Sequence, residues 1–164
     1  MFSQEIHDLA TEVLEEARAR HLMIATAESC TGGLISGALT EIAGSSDVVD
    51  RGFVTYSNEA KNQMLGVSAE SLTRFGAVSE AVAKEMAFGA LANSRADASV
   101  AVTGIAGPGG GSTDKPVGLV YIGVASQGCM PRAIKCQFGD IGRTQIRTAT
   151  VITALTELLV EIRG

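Results

Sequence analysis

The chain has 164 residues, 46% of them hydrophobic, with 13 basic and 18 acidic residues and a formal net charge of −5. This length is typical of one ordinary domain, and no apolar run approaches the roughly 20 residues that a membrane-spanning helix needs. The acidic balance, without any basic run, disfavours duplex nucleic acid as a partner, although one or two cations suffice for a small anionic ligand. The acidic, amphipathic N-terminal stretch is unlike a signal peptide, which predicts a cytoplasmic protein without a membrane partner.

The first half of the chain alternates helical and strand patterns. In chain order they predict a helix at about 4–20, a strand at 22–26, a helix at 32–42, a strand at 48–57 and a short helix at 58–65. The helices are predicted from apolar residues that recur at helical spacing. Ser57 or Asn58 is expected to cap the last of them.

The second half continues the alternation. It predicts a short helix from Ser68 to Gly76, a longer helix at about 80–94, a strand at 98–104, a hairpin of strands 118–126 and 132–138, and a final helix at about 142–162. Five strands interleaved with helices predict an α/β fold with a single three-layer α/β/α domain over residues 1–164. The hairpin makes the predicted sheet mixed rather than fully parallel.

Three segments with chemically active side chains follow predicted strands, where ligands collect in open α/β sheets. They are ESCTGG (28–33), YSNEAK (56–61) and TGIAGPGGGS (103–112). None of them matches a P-loop or a dinucleotide-binding fingerprint. The glycine-rich third segment is therefore either a tight connection or a loop that binds an anion or substrate. The three cysteines, Cys30, Cys129 and Cys136, have no CxxC spacing, which disfavours a disulfide framework and a zinc site.

Ser29 admits two compatible interpretations. Ser29 or Thr31 can cap the helix that follows. Ser29 can also be a nucleophile at a helix N-terminus, where the backbone amides of Thr31, Gly32 and Gly33 would form an oxyanion hole. The paired glycines would let a substrate approach the backbone closely.

A serine nucleophile needs a base, and the two histidines are poorly placed to supply one. His7 falls within the first helix, and His21 precedes the first strand. Of the lysines, only Lys61 and Lys115 fall in strand-end loops. A lysine base requires its pKa to fall from about 10.4 to near 7–8, which costs roughly 3–5 kcal/mol. Without a partner, Lys61 would be a solvated helix residue.

The sequence resembles one known family through five motifs in order, over residues from about 5 to 162. The motifs are TAESCTGG (26–33), GFVTYSNEAK (52–61), GAVS (76–79), VTGIAGPGGGSTDKPVG (102–118) and the segment 143–147. They are similar to the CinA C-terminal domain family, whose standalone members include nicotinamide-nucleotide amidases. The resemblance implies hydrolysis of nicotinamide mononucleotide to nicotinate mononucleotide and ammonia, in pyridine nucleotide salvage. It also implies a serine–lysine mechanism without a metal or cofactor.

Carried over by motif, the resemblance implies a set of catalytic residues: Ser29, Lys61, Tyr56 and Thr103. Tyr56 and Thr103 would complete the proton path or position the lysine. The substrate-binding residues implied are Glu28, Thr31, Gly32, Gly33, Gly104, Gly107, Arg143 and Arg147. Glu28 would orient either Lys61 or a ribose hydroxyl, and Arg143 or Arg147 would hold the phosphate. Here two residues separate Asp140 from Arg143, whereas other members have a compact GDR.

The expected partner is a small-molecule nucleotide, and the oligomeric state, a dimer or a trimer of this chain, stays open. A second hypothesis is a catalytically silent domain that binds a nucleotide and regulates something else. A third is a hydrolase of another small amide. Retention of both Ser29 and Lys61 favours an enzyme, because a pure binding domain needs neither residue.

Overall fold

The computed structural model describes all 164 residues, Met1–Gly164. Its strands are β1 (Ile24–Glu28), β2 (Val49–Val54), β3 (Ala98–Gly104), β4 (Leu119–Ser126) and β5 (Arg132–Gln137). They form one sheet in the order β2-β1-β3-β4-β5. β1 is parallel to both β2 and β3, whereas β4 is antiparallel to β3 and to β5. The mixed five-stranded sheet predicted from the sequence is confirmed.

Helices cover both faces of this sheet. They are α1 (Gln4–Ala19), α2 (Leu34–Thr40), α3 (Asn58–Leu65), α4 (Ala69–Phe75), α5 (Glu80–Ala92) and α6 (Arg143–Arg163), with a short 3-10 helix at Ser45–Asp47. α1, α2 and α6 pack together on one face, and α5 lies on the other with α3 and α4 against it. The three-layer α/β/α architecture is therefore confirmed. No helix combines the length and the apolar character needed to cross a membrane.

The first strand and the helix after it begin later than the sequence patterns predict. β1 covers 24–28 rather than 22–26, because its parallel pairing with β2 and β3 begins at Ile24. Glu28 is consequently the last residue of the strand and is fully buried. α2 begins at Leu34 rather than Gly32, because Gly32 and Gly33 both have positive φ angles, +61° and +101°. The turn that carries Ser29 is thus longer than expected.

α3 packs closely against α5 because α5 presents no side chain at the point of contact. A Cβ atom at Gly89 of α5 would overlap the backbone of Leu65, the last residue of α3. The core on this face is also rich in alanine, including Ala25, Ala27 and Ala101 of the strands. Small residues therefore let α3, which carries Lys61, lie close to α5.

Candidate active site

The three segments singled out at strand ends meet at one edge of the sheet. The carboxyl ends of β1, β2 and β3 face a cavity of about 280 Å³. Its lining comes from Ser29 and Cys30 after β1, from Tyr56, Asn58 and Lys61 after β2, from residues of the 103–110 segment after β3, from Ala77 and Val78, and from Arg143. Four larger depressions, of about 460, 590, 670 and 680 Å³, contain neither Ser29 nor Lys61.

Ser29 and Lys61 are hydrogen-bonded to each other in this cavity. The Lys61 Nζ atom lies 3.0 Å from Ser29 Oγ and donates to the backbone oxygen of Thr55 at 2.8 Å. Lys61 is only 1% exposed, although it belongs to the first turn of a helix whose outer residues are solvated. Ser57 caps that helix through a hydrogen bond from the Ala60 amide. The lysine is therefore a buried, partnered residue and not a solvated one.

Burial changes the acid–base character of Lys61. It lowers the pKa of the ammonium group below its ordinary value of 10.5, because a charged group loses solvation when it is buried. No carboxylate forms a salt bridge with Lys61. The cavity thus favours a neutral amine at the position where a serine would need a base.

Cys30 borders the cavity, but burial raises the pKa of its thiol, whereas burial lowers the pKa of Lys61. Its side chain is 6% exposed and packs with the core that α6 covers. Burial raises the pKa of the Cys30 thiol to about 11, so the group is a neutral thiol at neutral pH. A thiolate is the reactive form of cysteine, and the hydroxyl of Ser29, not this thiol, contacts Lys61.

Glu28, for which a substrate-binding role is implied by the resemblance, does not line the cavity. Its side chain is fully buried and accepts hydrogen bonds from the Thr31 hydroxyl and from the amides of Gly33, Ile35 and Ser36 at 2.7–3.0 Å. It therefore caps α2 from the preceding strand, since the N-cap residue Gly33 has no side chain to do so. Neither Ser29 nor Thr31 is the N-cap of this helix.

The same contacts restrict which amides of the Ser29 turn are free. The Gly33 amide donates to Glu28, and the Gly32 amide donates to the backbone oxygen of Ser29 at 3.0 Å. The oxyanion hole expected from Thr31, Gly32 and Gly33 therefore cannot include either glycine in this conformation. No hydrogen bond within the chain uses the amides of Cys30 and Thr31.

The two arginines of the last motif have different surroundings. They are the arginines of the chain that form no salt bridge. Arg143 lines the cavity, where it donates to the backbone oxygen of Gly107 at 2.8 Å and to the Tyr56 hydroxyl at 3.0 Å. Arg147 lies outside the lining and donates to the backbone oxygens of Cys30 and Thr31 at 3.1 and 2.9 Å. Only Arg143 is placed to meet a ligand.

Tyr56 and Thr103 line the cavity without contacting the Ser29–Lys61 pair through a hydrogen bond. Tyr56 is 62% exposed, and its hydroxyl accepts from Arg143 at the cavity rim. The Thr103 hydroxyl donates to the backbone oxygen of Ala77 at 2.8 Å. This bond holds the connection between α4 and α5 against the sheet. The hydrogen-bond partners of the two hydroxyls in this structure are therefore Arg143 and Ala77, not Ser29 or Lys61.

The glycine-rich segment presents backbone to the cavity. Gly104 and Gly107 both line it, and a Cβ at either position would overlap a valine, Val120 or Val117. Between Ala106 and Gly111 no amide donates a hydrogen bond within the chain. These amides can accept an anion as ligand.

Sequence reasoning missed two parts of the lining. Asn58 is exposed at the start of α3, and its side-chain amide makes no hydrogen bond within the chain. Ala77 and Val78 belong to the GAVS motif, to which no role was assigned. The position of Asn58 between Tyr56 and Lys61 was the only available signal. No local pattern in the sequence indicates that Ala77 and Val78 line the same cavity as Lys61 and Thr103.

Comparisons with known proteins agree on one family. Residues 6–162 match the CinA C-terminal domain. A protein of Enterobacter agglomerans named nicotinamide-nucleotide amidohydrolase PncC is 48% identical over 162 residues, which cover 97% of this chain and 99% of that protein. The protein of the same name from Escherichia coli (strain K12) is 48% identical over 161 residues, 96% of this chain and 95% of its own length. The crystal structure of competence/damage inducible protein CihA from Agrobacterium tumefaciens has a TM-score of 0.96 at 57% identity, with 100% of this chain and 99% of that chain covered.

Proposed function

The chain belongs to the CinA C-terminal domain family, and we propose that it is a nicotinamide-nucleotide amidohydrolase with a serine–lysine mechanism. The reaction is hydrolysis of nicotinamide mononucleotide to nicotinate mononucleotide and ammonia, a step of pyridine nucleotide salvage. The observation that carries this proposal is the hydrogen bond between Lys61 Nζ and Ser29 Oγ inside the cavity. The names of the relatives, which the chain matches over nearly its whole length, support the substrate.

Lys61 acts as the base. In its neutral form the amine donates one N–H to the Thr55 oxygen and keeps a lone pair for the Ser29 hydroxyl. The 3.0 Å separation suits a hydrogen bond in that direction, from hydroxyl to amine. The burial that lowers the lysine pKa increases the share of this neutral form at any given pH, which suits a general base.

The reaction has two halves. Ser29 Oγ attacks the carboxamide carbon while its proton passes to Lys61, and the tetrahedral intermediate then collapses with cleavage of the C–N bond. Lys61 returns the proton to the departing ammonia. A water molecule attacks the resulting acyl-serine, again with Lys61 as base, and releases the carboxylic acid and Ser29.

The developing oxyanion needs donors, and the Ser29 turn offers two. These are the amides of Cys30, at the cavity wall, and Thr31, which have no acceptor within the chain. Thr31 was expected in this role from the sequence, whereas Cys30 takes the place of the two glycines. A donor of this kind contributes roughly 10²–10³-fold to the rate.

Arg143 holds the phosphate, together with amides of the glycine-rich segment. Its guanidinium has no carboxylate partner and contacts only neutral oxygens, those of Gly107 and Tyr56. A phosphate in place of these acceptors would form charge-assisted, bidentate hydrogen bonds, which are stronger. Gly107 and the glycines after it let the phosphate approach the backbone.

The experiment that tests the proposal is an ammonia-release assay with purified protein. Nicotinamide mononucleotide should be hydrolysed efficiently. Nicotinamide riboside should react less well because it lacks the phosphate, and nicotinamide least because it lacks the ribose as well. Equal rates on all three would indicate a hydrolase of other small amides. Tight binding of the mononucleotide with no ammonia would indicate a regulatory domain and refute the amidase proposal.

A further inference from the structure

The turn that carries Ser29 is held by two ionised side chains that do not reach the cavity. Glu28 precedes the turn on β1, and Arg147 comes from α6. The two sequence positions are more than a hundred residues apart, yet both bind the backbone of the same short segment.

Glu28 fixes the far end of the turn. One carboxylate oxygen accepts from the Thr31 hydroxyl and the amides of Gly33 and Ile35, and the other accepts from the Ser36 amide. Hydrogen bonds to an ionised acceptor are stronger than those between neutral groups. Because α2 has no other cap, the start of this helix and the end of the turn depend on one carboxylate.

Arg147 fixes the orientation of the peptide groups in the turn. Its Nε and Nη2 atoms bind the carbonyl oxygens of Cys30 and Thr31, and the Ser29 oxygen is bound by the Gly32 amide. In a trans peptide the C=O and N–H bonds point in opposite directions. With the carbonyls of Ser29 and Cys30 engaged, the amides of the next residues, Cys30 and Thr31, point away from those contacts and stay free.

We propose that Glu28 and Arg147 are positioning residues, which hold the Ser29 turn so that its free amides meet the oxyanion. The inference rests on the proposed function only in requiring that Ser29 be the nucleophile. It replaces the substrate-binding role implied for both residues. It also separates Arg147 from Arg143, four positions earlier on α6, which lines the cavity and is the phosphate ligand of the proposed function.

The test compares Arg147→Met with Arg143→Met. Arg147→Met should lower kcat by roughly 10²-fold, the range for loss of an oxyanion donor, with KM changed by less than about threefold. Arg143→Met should instead raise KM by about tenfold or more, because it removes a phosphate ligand. Glu28→Gln should lower kcat like Arg147→Met, since its amide nitrogen cannot accept hydrogen bonds. Thr156→Ala, an exposed change on the same helix, is the matched control and should leave both constants unchanged.

A second readout does not depend on the substrate. A fluorophosphonate probe phosphonylates a nucleophilic serine, and its rate at Ser29, followed by mass spectrometry, should fall in Arg147→Met in parallel with kcat. Arg143→Met should be labelled at the wild-type rate. Melting temperatures identify any variant whose loss of rate reflects unfolding; should Glu28→Gln fail to fold, Arg147→Met decides the question alone.

The outcomes separate the two proposals. A wild-type protein that is labelled at Ser29 but does not hydrolyse the nucleotide refutes the proposed substrate, and the labelling rates still decide the positioning roles. Wild-type kcat and labelling with a raised KM in Arg147→Met would make Arg147 a ligand-binding residue and overturn the inference. Absence of both labelling and hydrolysis in the wild type would remove Ser29 as the nucleophile, and both proposals would fail.

Discussion

Replacement of Lys61 by methionine should abolish activity and make the stability of the protein, relative to the wild type, increase as the pH falls below 10.5. Methionine has a similar length but no group that accepts a proton. Since the serine and its base act as one unit, we expect kcat to fall by about 10⁴-fold or more. The measurement is ammonia release from nicotinamide mononucleotide at saturating concentration.

The effect on stability follows from the two contacts and the burial of Lys61. Methionine loses the hydrogen bonds to Thr55 and Ser29, each of which contributes about 1 kcal/mol. It also removes a buried amine whose pKa is lowered by burial. Between that lowered pKa and 10.5 the unfolded wild-type chain binds more protons than the folded one, so wild-type stability falls as the pH falls through this window.

The variant lacks this dependence, so its stability relative to the wild type should increase as the pH falls from 10.5 toward the lowered pKa of Lys61. Calorimetric melting across this range measures the difference, and about 1 kcal/mol corresponds to roughly 2–4 °C in Tm. A difference that shrinks toward neutral pH would refute the reasoning from burial. A kcat above about one hundredth of the wild-type value would remove Lys61 from the role of base.

Two further lysine variants serve as controls. Lys61→Arg keeps the charge but stays protonated at any working pH, so it should be almost as inactive as the methionine variant. A near-normal kcat in Lys61→Arg would mean that the residue acts only through its charge. Lys84→Met removes a lysine paired with Glu80 at the surface and should leave kcat unchanged.

Three other expectations concern the chemistry of the cavity. Ser29→Ala should lower kcat by roughly 10⁴–10⁶-fold and Cys30→Ala far less, and an active Ser29→Ala with an inactive Cys30→Ala would indicate a thiol mechanism. Activity should survive prolonged dialysis against a chelator, because no group of three or more His, Cys, Asp or Glu side chains is arranged to bind a metal; recovery only on added zinc or magnesium would contradict this. The pH profile of kcat/KM should rise as Lys61 loses its proton, with a midpoint below 10.5, and a profile that falls in this range would argue against a neutral base.

Periodicity predicted the order and type of all the main elements, because each helix and strand buries a face of its own. It also predicted that three loops would meet, since the carboxyl ends of parallel strands share one edge of a sheet. Lys61 was identified by resemblance and not by its neighbours. The local pattern of α3 gives no sign that this lysine is buried, since its partners Ser29 and Thr55 lie outside the helix.

The contacts of the candidate site that the sequence did not predict have a common physical origin. The cap of α2 comes from Glu28 in the preceding strand, whereas sequence rules expect the cap at the helix start. The Thr103 hydroxyl is satisfied by Ala77, and Arg147 by carbonyl groups more than a hundred residues away. Each of these contacts is made by a polar side chain with backbone outside its own helix or strand, and neither periodicity nor local motifs carry information about such pairs.

The glycine contact between α5 and α3 has a consequence for how this protein can change by mutation. Gly89 lies against the backbone of Leu65, one helical turn beyond Lys61 on the same buried face of α3. Any side chain at position 89 would displace α3 outward and carry the lysine away from Ser29. Gly89, a buried residue of α5 without a functional group, is thus constrained by the chemistry of the cavity. Substitutions of Gly89 should be tolerated only when a second substitution restores the position of α3 relative to Ser29.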